Sequence, residues 1–432
     1  MALQVHQLSY SPITAHAFNA DRSKVAVSPN SNEICIYAQT STGWVLEDTL
    51  CEHDKLVTGL DWAANTNKIV SCSQDRNAYV WTQTLDPHTA LPMWKPTLVL
   101  LRLNRGATCV RWSPNEDKFA VASSARMISV CSFEEDNDWW VAKHIKRPLR
   151  STVTSLAWHP NNVLLAAGST DYCARVFSAY IKGVDAKPPP SVWGERLPFG
   201  TVCGEFTTPA NGWVYGVAFS PSGDVLGFVG HDASISIVYP AGSDAAPHAT
   251  HVIRTPSLPY ATLVFTKETA LVAGGHDCQP MVFEGDMQSG WALSRSLDTL
   301  GAAASKPKPP PPPPKAKGLT GGAPGVGRLN NEAFNRFRAA DSRGASAPPP
   351  TADAEGNSLA LGAVAGASIA EDGELHTTHQ NTITSVRVYS GARDNVQAVS
   401  TSGVDGCLCI FDVNKGSAAV GSLLKGVASM QV

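Results

Sequence analysis

The sequence predicts an all-β fold, a seven-bladed β-propeller interrupted by one long insert. Three observations carry that expectation. Seven short runs share a pattern: ITAHAF (13–18), VTGLDW (57–62), ATCVRW (107–112), VTSLAW (153–158), VYGVAF (214–219), YATLVF (260–265) and ITSVRV (383–388). An Asp follows most of these runs at a nearly constant distance. Outside residues 298–378 the chain is rich in β-branched and aromatic residues with turn signals between short apolar stretches, an all-β composition.

Each run opens on an apolar or small residue and closes five positions later on a large apolar one. The fourth position is apolar in six of the seven, His16 being the exception, which fits a strand buried on both faces near its end. The Asp comes thirteen residues after the closing position at Asp75, Asp171 and Asp232, twelve at Asp277 and seventeen at Asp405. Ser31 and Ala125 take its place in the first and third units. A short carboxylate in a tight turn accepts backbone N–H groups and fixes the turn. It also accepts from a His in the loop before the first strand of its unit, and two units supply one: His53, four residues before Val57, and His379, four before Ile383. Each such charge-assisted bond contributes about 1–3 kcal/mol. At the other five positions stand Ser9, Leu103, Leu149, Ala210 and Pro256, so the network reads as incomplete. A period near 45 residues (~45) with this His/Asp arrangement is the WD-repeat signature. The N-terminal stretch LQVHQL (3–8) is expected to complete the last blade and close the ring.

Steps between closing residues are 44, 50, 46, 61, 46 and 123. The longest holds a Pro/Gly-rich insert between blades six and seven, which divides the chain into a propeller of residues 1–297 with 379–432 and an insert of 298–378. That insert carries eleven of thirty prolines and no Trp, Tyr or Cys, so most of it is expected to be disordered.

A net charge of −3 argues against a general nucleic-acid binder. No stretch is long and apolar enough for a membrane span, and the N-terminus lacks the pattern of a signal peptide, so a cytoplasmic location is expected. Ten cysteines scattered in apolar runs, with no C-x-x-C, suit buried thiols in a reducing compartment. His231–Asp232 and His276–Asp277 look like acid/base pairs, but both aspartates are turn residues. His376 and His379 are spaced for a metal, yet the local sequence is loop-like. GGAPGVG (321–327) lacks a strand before it and a Lys-Ser/Thr after it. No catalytic residue, metal or cofactor is therefore expected.

Three features read as binding surfaces. Lys143, Lys146, Arg147 and Arg150 form a basic patch suited to an acidic peptide. The proline run at 307–314 would form a stiff arm or an SH3- or profilin-type ligand. Inside the insert, LNNEAFNRFRAADSRG (329–344) carries helix signals near 331–343. Phe334 and Phe337 share one face there with Arg336 and Arg338 beside it, a helix-in-groove recognition element.

The spans 151–185, 134–146, QDRNAYVW (74–81) and AGGHDCQPMVF (273–283) resemble the propeller-subunit family of the actin-related protein 2/3 complex, which nucleates branched actin filaments. The resemblance implies a non-catalytic scaffold in the actin cytoskeleton, packed against the other subunits. It implies that the basic patch receives acidic tails of nucleation-promoting factors. It also implies that Phe334, Phe337, Arg336 and Arg338 contact the mother actin filament. Two alternatives stay open: a WD-repeat adaptor of another assembly, such as a ubiquitin-ligase substrate receptor, and a propeller hydrolase.

Overall fold

A computed structural model describes residues 3–88, 90–195, 197–242, 246–298 and 375–416. These residues form seven four-stranded antiparallel sheets, the blades of a propeller. Strands are lettered a to d outward from the central channel. The a strands are Ala15–Phe18, Val57–Trp62, Ala107–Trp112, Val153–Trp158, Val214–Phe219, Tyr260–Lys267 and Ile383–Ala392, one for each repeated run.

Burial falls off outward, and the sequence pattern follows it. The b strands Ile69–Ser73 and Leu164–Ser169 are buried throughout and read as continuous small and apolar runs. The d strand Ala249–Arg254 alternates between half-buried and exposed, as a strand with one solvated face should. Within a blade the closing residue of strand a aligns with the same level of b and c: Trp62 opposite Ile69, and Ile69 opposite Trp81. Trp158, Leu165 and Phe177 repeat the arrangement, as do Phe219, Leu226 and Val238.

The core lies between blades rather than inside any one of them. The cluster containing Val130, Leu156, Trp158 and Phe177 joins blades three and four. Ile36, Leu60, Trp62 and Trp81 join blades one and two. Val272, Val282, Val386 and Phe411 join blades six and seven.

The break in alternation within the runs has a local cause. In blades two to seven the register shifts between positions one and three of strand a, so position two is a β-bulge. A bulge reverses the parity of the side chains that follow. Positions one, four and six therefore pack into the core, while three and five line the channel. The expectation of a strand buried on both faces is corrected accordingly. The bulged residue is Thr in four of these blades, and its hydroxyl donates to the opening carbonyl of the next blade. Thr58 reaches Ala107 O at 2.9 Å, Thr108 reaches Val153 O at 2.5 Å, Thr154 reaches Val214 O at 2.5 Å and Thr384 reaches Ile13 O at 2.6 Å. Thr14 makes a longer contact, 3.4 Å, to Val57 O.

Blade seven takes its d strand from the other end of the chain: Gln4–Gln7 pairs antiparallel with Cys407–Ile410. The joint continues through Leu8 N to Gly406 O at 3.2 Å and Ile13 N to Gly403 O at 3.1 Å. Gly406 has φ of 74°, and a Cβ there would lie 1.9 Å from the Ser9 carbonyl oxygen, so the closing strand approaches only because this residue is glycine. The long spacing before Asp405 comes from an extended a–b hairpin, Ile383–Ala392 with Asn395–Gly403, rather than from a longer turn at the Asp.

Candidate functional site: turn carboxylates and a basic surface

The repeat aspartates all occupy the b–c turn. Each accepts a backbone N–H from the loop that enters its own blade: Asp54 N to Asp75 (3.2 Å), Arg150 N to Asp171 (2.9 Å), Ala210 N to Asp232 (3.2 Å), Leu258 N to Asp277 (3.0 Å) and Gln380 N to Asp405 (2.9 Å). The next residue is left-handed in every case: Arg76, Tyr172, Ala233, Cys278 and Gly406. Four of the five are not glycine, and the carboxylate offsets the cost of that backbone conformation.

His53 Nδ1 lies 2.7 Å from Asp75, and its Nε2 lies 2.8 Å from Ser71 Oγ, which also accepts from Trp81 Nε1 at 2.9 Å. Burial lowers the His53 pKa, opposed by the hydrogen bond and charge of Asp75. His379 bonds Asp405 at 2.9 Å and Thr401 at 2.7 Å. Burial alone would raise the Asp405 carboxyl, but its bonds to His379 and to the N–H groups of Cys407 and Gln380 hold it below the ordinary range. Blade four has Leu149 where blades two and seven have His53 and His379, yet its Asp171 is not left incomplete: Arg175, from strand c, donates Nη1 to both oxygens at 2.8 and 2.9 Å and Nε to Glu205 at 2.8 Å. The expected gap in the network is corrected there. An arginine four residues on reaches the same carboxylate.

The paired His and Asp residues of blades five and six face different partners. His231 bonds the Tyr215 hydroxyl at 2.6 Å and His276 bonds Thr382 at 3.2 Å. Among the described residues no group of three or more His, Cys, Asp or Glu is placed to hold a metal ion. No helix among them is long and apolar enough to cross a membrane.

Lys143 sits on the d strand of blade three, Trp139–Ile145, while Lys146, Arg147 and Arg150 follow on its connection to blade four. All four side chains are exposed. Arg150 lines a cavity of about 390 Å³ with two arginines that the sequence pattern did not single out, Arg105 and Arg126, both also exposed. Ser124, Ser151 and Thr152 supply hydroxyls, and no carboxylate is among its described lining residues. The cavity lies where blade three has Ala125 instead of Asp and Leu103 instead of His. The signal was in the repeat alignment, as a turn without its carboxylate followed by Arg126.

A buried ion pair also escaped the pattern. Lys118 Nζ bonds Asp185, both side chains being buried, and stands 5.3 Å above the Trp158 ring. Asn162 braces Asp185 at 3.0 Å. This fixes the loop after strand c of blade four, which has no counterpart in the other blades. Phe334, Phe337, Arg336, Arg338 and the proline run at 307–314 lie outside the described residues.

Two stretches, 44–82 and 143–178, match the family model described as WD domain, G-beta repeat. Each runs from strand d of one blade through a, b and c of the next, which is why the first strand must complete the seventh blade. Fold and turn chemistry thus define a WD-repeat β-propeller. Over 408 residues, 94% of this chain and 98% of the relative, it is 46% identical to actin-related protein 2/3 complex subunit 1 of Schizosaccharomyces pombe. It is 42% identical over 412 residues to subunit 1A-B of Xenopus laevis, covering 95% of this chain and 96% of that one. Subunit 1 of Saccharomyces cerevisiae is 34% identical over 414 residues, 95% of this chain and 97% of the relative. The chain belongs to the actin-related protein 2/3 complex subunit 1 family.

Proposed function

We propose that this chain is the non-catalytic propeller subunit of an actin-related protein 2/3 complex in the cytoplasmic actin cytoskeleton, and that it docks the acidic tails of nucleation-promoting factors. The observation that supports the docking is the carboxylate-free arginine cavity between blades three and four, continuous in sequence with the exposed Lys143, Lys146 and Arg147. Several exposed guanidinium groups on one face of a chain with net charge −3 attract and orient an acidic peptide, with a planar fork for each carboxylate. In this reading the insert helix, through Phe334 and Phe337 with Arg336 and Arg338, contacts the mother filament. The propeller itself binds the other subunits.

The test is affinity capture of the tagged chain followed by peptide binding. Stoichiometric actin-related proteins are expected in the capture. A fluorescent acidic tail peptide should bind the captured complex at least ~10-fold more weakly when Arg105, Arg126 and Arg150 are all replaced by Gln, with a shallower salt dependence. Equal affinity for the triple variant would sink the docking reading. A chain captured alone would sink the scaffold reading. Replacing Phe334 and Phe337 by Ala should reduce branching while the complex still assembles; unchanged branching would remove the helix from the filament contact.

A further inference from the structure

We infer that the central channel holds a binding site for one small oxyanion, a phosphate or carboxylate group, between Arg111 and Arg387. The inference stands apart from the basic surface, being built on the channel wall.

Position five of strand a points into the channel in every blade. Its seven occupants are Ala17, Asp61, Arg111, Ala157, Ala218, Val264 and Arg387. Four are small or aliphatic and leave space, and the cavity they surround measures about 540 Å³, within the range of small-molecule sites. The three charged residues come from blades two, three and seven. Arg22 at the same cavity adds a third cation, so three guanidinium groups face a single carboxylate.

That carboxylate is already occupied. Asp61 Oδ1 accepts from Arg387 Nη1 at 2.5 Å, and Oδ2 accepts from Trp112 N at 2.9 Å. Arg387 also donates Nη2 to Leu60 O at 2.8 Å, and its Nε is buried with no partner among the described residues. Arg111 makes one hydrogen bond among the described residues, from Nη1 to the carbonyl of Val110 at 2.8 Å. Arg22 is held by the Tyr389 and Asn19 carbonyls at the rim.

Two arginines thus share a confined cavity with their remaining donors unmatched. Each guanidinium carries five N–H donors in a planar fork that matches an oxyanion edge. Like charges side by side repel, and burial together with Arg111 pulls the Arg387 pKa down from its ordinary value. An oxyanion between them removes the repulsion and satisfies the orphan donors at once. The small neighbours at Ala157, Ala218 and Val264 leave its other face to water. A hydrophobic ligand finds little here, because channel positions three and five carry few large apolar side chains.

The test is equilibrium dialysis of the purified full-length chain against radiolabelled inorganic phosphate, with a parallel arm using labelled glutamate. One saturable site per chain is expected in at least one arm, and the tighter arm assigns the group as phosphate or carboxylate. Arg111→Gln should weaken that site at least ~10-fold, since it removes a charge-assisted fork. Ala157→Glu, which supplies a carboxylate from the adjacent blade, should abolish it. The surface variant Arg105→Gln, Arg126→Gln should leave it unchanged. Absence of a saturable site in both arms would overturn the inference. So would wild-type binding by both channel variants, or loss of binding in the surface variant.

Discussion

Thr154 does at one position what five threonines do around the ring. Its hydroxyl, carried on a bulge, donates to the Val214 carbonyl at 2.5 Å and ties blade four to blade five. Replacing it by Val keeps the shape and removes the donor, leaving a carbonyl unsatisfied at an inner seam. Thr154→Val is expected to lower stability by about 1–2 kcal/mol in denaturant unfolding. His159 makes a second prediction at this scale. Its ring is buried with Nε2 unpartnered among the described residues, and burial lowers its pKa from 6.5 to about 4. The folded state keeps it neutral while the unfolded chain takes a proton below the unperturbed value. Its contribution is therefore complete above pH 6.5 and is lost as pH falls toward 4, at up to about 1.4 kcal/mol per pH unit. The stability gap between wild type and His159→Asn should narrow over that interval in urea titrations at successive pH values.

At the scale of the strand, the inner elements were legible because they repeat. Seven copies of one run, each followed by a turn residue at similar distance, outweigh the weakness of any single signal. Ile69 and Trp81 meet at one level because the Asp75 turn fixes the b–c register, and the a–b hairpin brings Trp62 to the same level. What did not repeat was not legible. The Lys118–Asp185 pair joins a strand to a loop found in one blade only. Arg175, on strand c, took the place of a loop histidine, so a search for His at one spacing missed it. The bulge hid in plain view, since it appears in sequence only as a parity change after a Thr. Strand d of blade seven carries its own test. Without residues 1–8 the edge Cys407–Ile410 is unpaired, and Leu408 and Ile410, both now buried, lose cover. The truncated chain should show a lower thermal midpoint and concentration-dependent aggregation by light scattering.

For the whole molecule, cohesion is circular. Every hydrophobic cluster belongs to two blades, so no blade is stable by itself and loss of one seam weakens both neighbours. The two ends of the insert meet at this ring: Thr378 N donates to the buried Asp298 at 2.5 Å, and Leu297 is part of the seam between blades six and seven. Residues 300–373 can on that account be replaced by a short Gly/Ser linker, and the thermal midpoint should not fall, because shortening a loop lowers its closure entropy. A marked drop would show that the insert contributes to the ring's stability. The channel and the arginine cavity belong to this scale too. Both are made where neighbouring blades face each other, so neither is visible in any one repeat.

The seventh blade also sets an order in time. Gln7 and Cys407 are 400 residues apart in the chain and neighbours in the sheet. At roughly 5–20 residues per second of synthesis, the first strand waits about 20–80 s before its partner leaves the ribosome. Through that interval blade one lacks its neighbour on one side and the growing arc has two raw ends. Nascent chains of this protein therefore keep two apolar blade faces exposed until the ring closes. A premature stop shortly before Cys407 would leave nearly all of the blades made and none of the ring closed.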